Sequence, residues 1–215
     1  EGRIAYLIGK VQGAYSLTLM TEKELIAVRD PLGVRPLCFG SVNGGWIIAS
    51  ESCALDNVGA KFVREVNPGE AIMFDSKGFK SIYQKDKEKC SFCVFEHIYF
   101  ARPDSELDGK LVYKSRLLMG KELAREHPVE ADMVIGVPDS ATASAVGYSE
   151  QSGIPFGEGL VKNRYVGRTF INPDQRMREV GVKVKLNPLK ELIEGKRLVV
   201  VDDSIVRGTT SKPVV

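Results

Sequence analysis

Several features that would fix a protein class outright are missing from this 215-residue sequence. Cysteine is sparse: Cys38, Cys53, Cys90 and Cys93 are the only four, too few in a chain this long for a disulfide-built scaffold. No apolar run approaches the roughly 20 residues that span a bilayer, and no signal-peptide pattern opens the sequence as given. A dominant charge sign is missing too. Lys and Arg total 30 against 28 Asp and Glu, a net +2, which gives no electrostatic reason to expect a nucleic-acid or membrane partner. Neither common nucleotide loop occurs, since there is no G-x-x-x-x-G-K-[ST] and no G-x-G-x-x-G. These absences leave the expectation of a globular protein in a reducing, cytoplasmic setting. Its 43% hydrophobic and 27% charged residues suit that class, and the length allows one large domain or two small ones.

What is present is concentrated near the end, in residues 196–211, K-R-L-V-V-V-D-D-S-I-V-R-G-T-T-S. Residues 198–201 are an unbroken apolar, mostly β-branched run, the pattern of a strand buried on both faces of a parallel sheet. The run stops on two carboxylates, Asp202 and Asp203, followed by a loop with Gly208 and the hydroxyls of Thr209, Thr210 and Ser211. Ligands of open α/β sheets sit beyond the carboxyl ends of the strands. Free backbone N–H groups and hydroxyls at the start of a helix cradle anions there. Gly208 lets a phosphate approach the backbone, and the paired acids suit sugar hydroxyls or a hard cation such as Mg²⁺. The plainer reading makes one acid an N-cap and the threonines turn residues. The coincidence of acid pair, glycine and hydroxyl triplet favours a site for a phosphorylated sugar.

Upstream, the chain changes character once. Residues 14–20, 24–30, 46–50, 61–66 and 70–75 read as short strands, broken by D-P-L-G, N-G-G, N-P-G and D-S-K-G turns. Short connections between successive strands favour antiparallel pairing, so a largely antiparallel sheet with little helix is expected. The segment 29–37 reads as a hairpin with a proline turn. The charged run 85–89 reads as a linker. Beyond it come an amphipathic helix over 111–126, a strand over 132–137, a helix over 141–151 stopped at Gly153, a strand over 154–161 and a helix over 187–194 ended by Gly195. That alternation predicts a doubly wound, mostly parallel sheet, with the loop 137–141 able to face the same crevice as Asp202.

Several blocks then point to a family. The loop at 202–210 resembles the signature by which phosphoribosyltransferases bind phosphoribosyl pyrophosphate. R-D-P-L-G-V-R-P-L at 29–37 and A-S-E-S at 49–52 resemble a glutamine amidotransferase domain of the N-terminal-nucleophile type. C-V-F-E-H-I-Y-F-A-R-P-D-S at 93–105, G-V-P-D-S at 136–140 and K-N-R-Y-V-G-R-T-F-I at 162–171 follow in the order of the amidophosphoribosyltransferases, which the chain resembles along essentially its whole length. The resemblance implies an α/β fold: a partial antiparallel glutaminase sheet over 1–89, then a doubly wound parallel-sheet phosphoribosyltransferase domain over 90–215. It implies a pentosyltransferase that makes 5-phosphoribosylamine from phosphoribosyl pyrophosphate and glutamine-derived ammonia, the first committed step of de novo purine synthesis.

By the same resemblance Ser204, Ile205, Val206, Arg207, Gly208, Thr209 and Thr210 hold the ribose 5-phosphate. Asp202 and Asp203 engage ribose hydroxyls and Mg²⁺, with Ser140 as a further metal-site position; alone, Ser140 reads as a helix N-cap. Lys162, Arg164 and Tyr165 are implied substrate-binding positions. The basic segment 163–184, with Arg164, Arg168, Arg176, Arg178 and Lys183, is a candidate lid, with a solvated loop as the plainer alternative. Cys93 matches a ligand of the [4Fe-4S] cluster some members carry, the other ligands lying past Val215. A single C-x-x-C is weak metal evidence, and Cys38 and Cys53 read as core residues. Purine nucleotide inhibitors and a homo-oligomeric parent are also implied. Glu1 cannot act as the family's N-terminal cysteine nucleophile, so an internal fragment without glutamine-dependent activity is expected. The same fold and acid-pair loop occur in regulators that only sense phosphoribosyl pyrophosphate, which is the alternative function.

Overall fold

Alternating apolar residues on short strands, with Gly, Pro, Asn and Asp between them, leave the first part of the chain two-sided layers to bury. A computed structural model describes residues 2–85, 90–163, 165, 185–205 and 212. It divides into two units, Glu1–Val112 and Tyr113–Val215.

The first unit contains helix α1 (Gly2–Lys10), strands β1 (Ser16–Met20), β2 (Leu25–Arg29), β3 (Cys38–Val42) and β4 (Gly45–Ala49), helix α2 (Ser52–Asp56), and strands β5 (Lys61–Glu65), β6 (Glu70–Asp75) and β7 (Gly78–Gln84). The strands form two antiparallel sheets, β1-β2-β6-β7 and β4-β3-β5, rather than the one expected. Period-2 alternation divides the first sheet's residues between two cores. Ile26, Val28 and Ala71 pack against Ile4 and Ile8 of α1. Ala27, Ile72 and Phe74 face Leu37, Phe39 and Val66, with the Phe39 and Phe74 rings edge to face at 4.9 Å. Leu55 of α2 then covers the far side of the second sheet with Cys38 and Ala60. The layers therefore run helix, sheet, sheet, helix. Helix α1 was not expected; its burial rests on just two residues one turn apart, Ile4 and Ile8.

The hairpin expected over 29–37 is a crossover. β2 pairs with β1 and β6 while β3 pairs with β4 and β5, so residues 30–37 carry the chain from one sheet to the other. Buried Arg29 holds the crossing: its guanidinium donates to the carbonyls of Arg35 and Val66 at 2.8 Å and of Gly33 at 3.2 Å, and pairs with Glu65 at 3.2 Å. Asp30, with no exposed surface, accepts from the N–H groups of Leu32 and Val34. Gly33 is required: its φ is +62°, and a Cβ there would lie 2.6 Å from Pro68 Cγ.

Residues 90–112 belong to the first unit. They contain a π-helical turn, Glu96–Phe100, and the two-residue strands β8 (Glu106–Leu107) and β9 (Lys110–Leu111). The N–H groups of Ser91 and Cys93 donate to the carbonyls of Leu32 and Val34 on the crossover. The linker expected over 85–89 lies mostly outside the described residues.

The second unit holds helix α3 (Val112–Glu126) except for its first residue, β10 (Met133–Gly136), α4 (Thr142–Ser152), β11 (Leu160–Lys162), β12 (Leu186–Pro188), the short α5 (Lys190–Ile193) and β13 (Leu198–Val201). β10 and β13 pair in parallel, Met133 opposite Leu198 through Gly136 opposite Val201, and Phe156 bridges in parallel to Val134 on the other side. Val199 and Val201 face α4, whose Ala145 and Tyr148 pack there. Val200 faces the opposite way, toward Leu160 and Leu186 of the β11–β12 pair. The apolar run at 198–201 is thus covered on both sides. Gly153 ends α4 with φ +76°, as its position after the last helical residue predicts. The helix expected over 187–194 shrinks to α5, because Asn187 and Pro188 belong to β12 and the residue before a proline is pushed toward extended backbone.

Candidate active site at the edge of the parallel strands

Because β10 and β13 run in parallel and in register, the chain leaves both at the same edge. Residues 137–141 follow β10 there, and Asp202 and Asp203 follow β13. The junction is fixed by hydrogen bonds: Val137 N–H donates to the Val201 carbonyl at 2.9 Å, and the Ser140 hydroxyl donates to Asp203 Oδ2. Asp203 accepts at its other oxygen from the Ser204 hydroxyl at 2.7 Å, and its own N–H donates to Asp202 Oδ1 at 2.8 Å. Ser140 is therefore not the N-cap of α4. That position is Ala141, which makes no side-chain cap; the Ser140 hydroxyl is committed to the acid.

Asp202 is half-buried, and burial pushes its carboxyl up from the ordinary range; the adjacent Asp203 charge pushes the same way, while the bond from Asp203 N–H opposes both. Two carboxylates and a hydroxyl so placed are hard oxygen donors in need of positive charge, the donor chemistry that suits Mg²⁺. Among the described residues no cationic side chain pairs with either acid, and no group of three or more His, Cys, Asp or Glu marks a metal site. The set fits a cation that takes most of its ligands from substrate and water.

Beside the acids lies a cavity of about 300 Å³, lined among others by Pro138, Asp139, Thr142, Phe156, Glu158 and Lys162. It does not reach Asp202 or Asp203 directly; the loop 138–140 separates them. The Lys162 ammonium, at the end of β11, pairs with Asp139. Ile205 is exposed, and Tyr165 is fully so, its N–H donating to Asn163 Oδ1 at 3.0 Å. Of the expected site residues, Ser140, Asp202, Asp203 and Ser204 come together, and Lys162 lies at the neighbouring cavity. Arg164, Val206, Arg207, Gly208, Thr209 and Thr210, with nearly all of the expected lid, lie outside the described residues. Asp139, Phe156 and Glu158 were not singled out in advance. Asp139 stands inside the G-V-P-D-S block, but nothing in the sequence distinguished its carboxylate from any loop acid.

Cys93 is a free, half-buried thiol and Cys90 an exposed one; Cys38 and Cys53 are buried. Burial drives the Cys38 thiol up to about 12, which keeps it protonated in the core. Among the described residues nothing accompanies Cys93 that would complete an iron–sulfur site.

A glutamine amidotransferase domain model matches residues 3–57. The amidophosphoribosyltransferase of Mycobacterium tuberculosis is 55% identical over 97% of this chain, and that of Archaeoglobus fulgidus is 52% identical over 94%. These relatives, and one from Synechocystis that is 51% identical, are named amidophosphoribosyltransferases. The chain spans about 40% of the length of the mycobacterial relatives. Among solved structures, a glutamine phosphoribosylpyrophosphate amidotransferase from B. subtilis complexed with ADP and GMP superposes with a TM-score of 0.89 at 50% identity, over 98% of this chain and 46% of its own. A second, described as the allosteric regulatory enzyme of purine biosynthesis, gives 0.90 at 50% identity, over 99% and 46%. These amidophosphoribosyltransferase matches run through both units, including the layered sheets of the first. A sensor without catalysis is therefore not the favoured reading. Among the described residues no helix is long and apolar enough to cross a membrane.

Proposed function

We propose that this chain supplies part of an amidophosphoribosyltransferase that makes 5-phosphoribosylamine from phosphoribosyl pyrophosphate and ammonia released from glutamine. The observation that carries the reading is the acid pair at the β13 edge with the Ser140 hydroxyl bonded to Asp203. In the reaction the bond from the anomeric carbon to pyrophosphate breaks as the bond to ammonia nitrogen forms, with inversion. No protein nucleophile is required, so the chain's residues act by holding the ribose and neutralising charge. Asp202 and Asp203 accept from ribose hydroxyls, Lys162 faces the leaving anion, and Ser204 with the residues after it holds the 5-phosphate. Mg²⁺, when bound by the acids and Ser140, supplies positive charge to the leaving pyrophosphate. Arg164 and Tyr165 open the segment assigned as a lid.

Residues 1–89 are assigned to the glutaminase domain and 90–215 to the phosphoribosyltransferase domain. The same reading makes the protein cytoplasmic and homo-oligomeric, with purine nucleotides as inhibitors. It also makes Cys93 one ligand of a [4Fe-4S] cluster whose remaining ligands this chain does not supply; no step depends on that cluster. The test is ammonia-dependent turnover by the full-length protein. Asp202→Asn and Asp203→Asn are each expected to lower it about a hundredfold or more. Wild-type turnover in both variants would remove the acid pair from the site.

A further inference from the structure

The loop 138–140 uses two consecutive side chains in opposite directions. Ser140 reaches Asp203 after β13, and Asp139 reaches Lys162 at the end of β11. Asp139 and Lys162 both line the cavity of about 300 Å³, with Glu158 as its other charged lining residue. Among the described residues, then, one cation faces this cavity, and its ion-pair partner is an acid of the loop itself. An anion that enters must take Lys162 away from Asp139.

We propose that Asp139 is an internal competitor for the anion: in the ligand-free protein it occupies Lys162, and it sets how much anionic charge a ligand must carry to engage the cavity. The proposal rests on the reading of this edge as a phosphoribosyl pyrophosphate site and adds a control on it. Lys162 is 32% exposed and Asp139 74% exposed, so the pair is solvent-screened and its competition is modest. A singly charged ligand gains little over the resident carboxylate, whereas a polyanion such as pyrophosphate keeps charge in excess after the exchange. Asp139→Asn removes the competitor and leaves the loop's other anchor, Ser140 to Asp203, in place. Because Asp139 is largely exposed, that change carries little risk to folding.

The measurement is calorimetric titration of the full-length protein with inorganic pyrophosphate at fixed, saturating Mg²⁺ and low ionic strength. Asp139→Asn is expected to tighten binding about two- to fivefold, a gain that shrinks as salt is raised. In a Lys162→Met background, where there is no cation to release, the same substitution is expected to change binding by less than about 1.5-fold. An equal gain in both backgrounds would mean that Asp139 acts only through the general field, and weaker binding by Asp139→Asn would make it a ligand contact; either overturns the proposal. Asp202→Asn serves as the separate arm. If it leaves binding of phosphoribosyl pyrophosphate itself, ribose included, untouched, the site reading fails and the competitor role falls with it.

Discussion

Glu70 sits at the start of β6 with 2% of its surface exposed, and all of its bonding capacity is used. Arg64, on β5 of the other sheet, donates to both oxygens at 2.8 Å, and the Asn67 N–H adds a third bond at 2.9 Å. Burial alone would raise the carboxyl; the bonds from Arg64, Asn67 and Ser81 outweigh it, and the net displacement is downward. A depressed acid stabilises the fold above its unfolded value, about 4.3, and that stability is lost as pH falls through the lower folded value. Urea unfolding from pH 7 to pH 3 should therefore show wild type losing stability in the acid range, and Glu70→Gln losing distinctly less over the same window. Parallel curves for the two would remove Glu70 as a source of acid sensitivity. At this scale the sequence was informative where residue type dictates chemistry. Asp202 and Asp203 stand out because two adjacent acids at the end of an apolar strand have few other uses, whereas Ser140 alone reads as a helix N-cap and is marked only by the family resemblance. Glu70, Arg29 and Asp139 do not stand out, because a charged residue carries no mark of the partner it will meet from a distant strand.

The second unit depends on how α3 meets α4. Both helices carry a glycine at the crossing: a Cβ on Gly120 would lie 1.9 Å from the Ser144 carbonyl oxygen, and one on Gly147 would lie 2.0 Å from that of Leu117. The backbones touch there, so neither position has room for a methyl. Gly120→Ala gains helix propensity, up to about 1 kcal/mol, but forces the helices apart. The net is a loss near or above the upper end of the roughly 1–3 kcal/mol typical of overpacking. Thermal unfolding should show a lower midpoint for Gly120→Ala, while Gly2→Ala, whose Cβ would meet nothing within 4 Å, should not lose stability. An unchanged midpoint for Gly120→Ala would mean the crossing is not tightly packed. Element existence was legible here: β13 from its β-branched run, α4 from its stop at Gly153, α3 from its periodicity. Element partnership was not. A strand–turn–strand pattern over 29–37 suits a hairpin and a sheet-to-sheet crossover equally, and only the distant partners of β2 and β3 decide between them.

Across the whole chain, composition marked one division and hydrogen bonding another. The charged run 85–89 reads as a boundary, yet the first unit extends to Val112, because acids of the layered sheets hold the segment that follows. Glu51 Oε2 accepts from Arg102 N–H at 2.8 Å and from the Ser105 hydroxyl at 2.6 Å, with Ser105 fully buried. The Ser52 hydroxyl accepts from Glu106 N–H at 2.8 Å, and Glu65 Oε1 from Asp108 N–H at 2.6 Å. The π-helical turn adds the buried Glu96, 3.1 Å from Arg35; that contact attracts by charge without making an aligned hydrogen bond. A-S-E-S at 49–52 is thus the anchorage of residues 101–108, a role invisible in sequence because its two halves lie about fifty positions apart. Glu51→Ala strands the buried Ser105 hydroxyl, worth about 1–3 kcal/mol when unpaired, and releases the exposed Arg102 N–H to water. Since β8 and β9 pair with each other beside these bonds, the segment should loosen as one piece. Amide hydrogen exchange should accelerate about tenfold or more at Arg102, Glu106 and Asp108 together, with β10 unchanged. Acceleration confined to Arg102 would show three independent tethers in place of a single anchored strap.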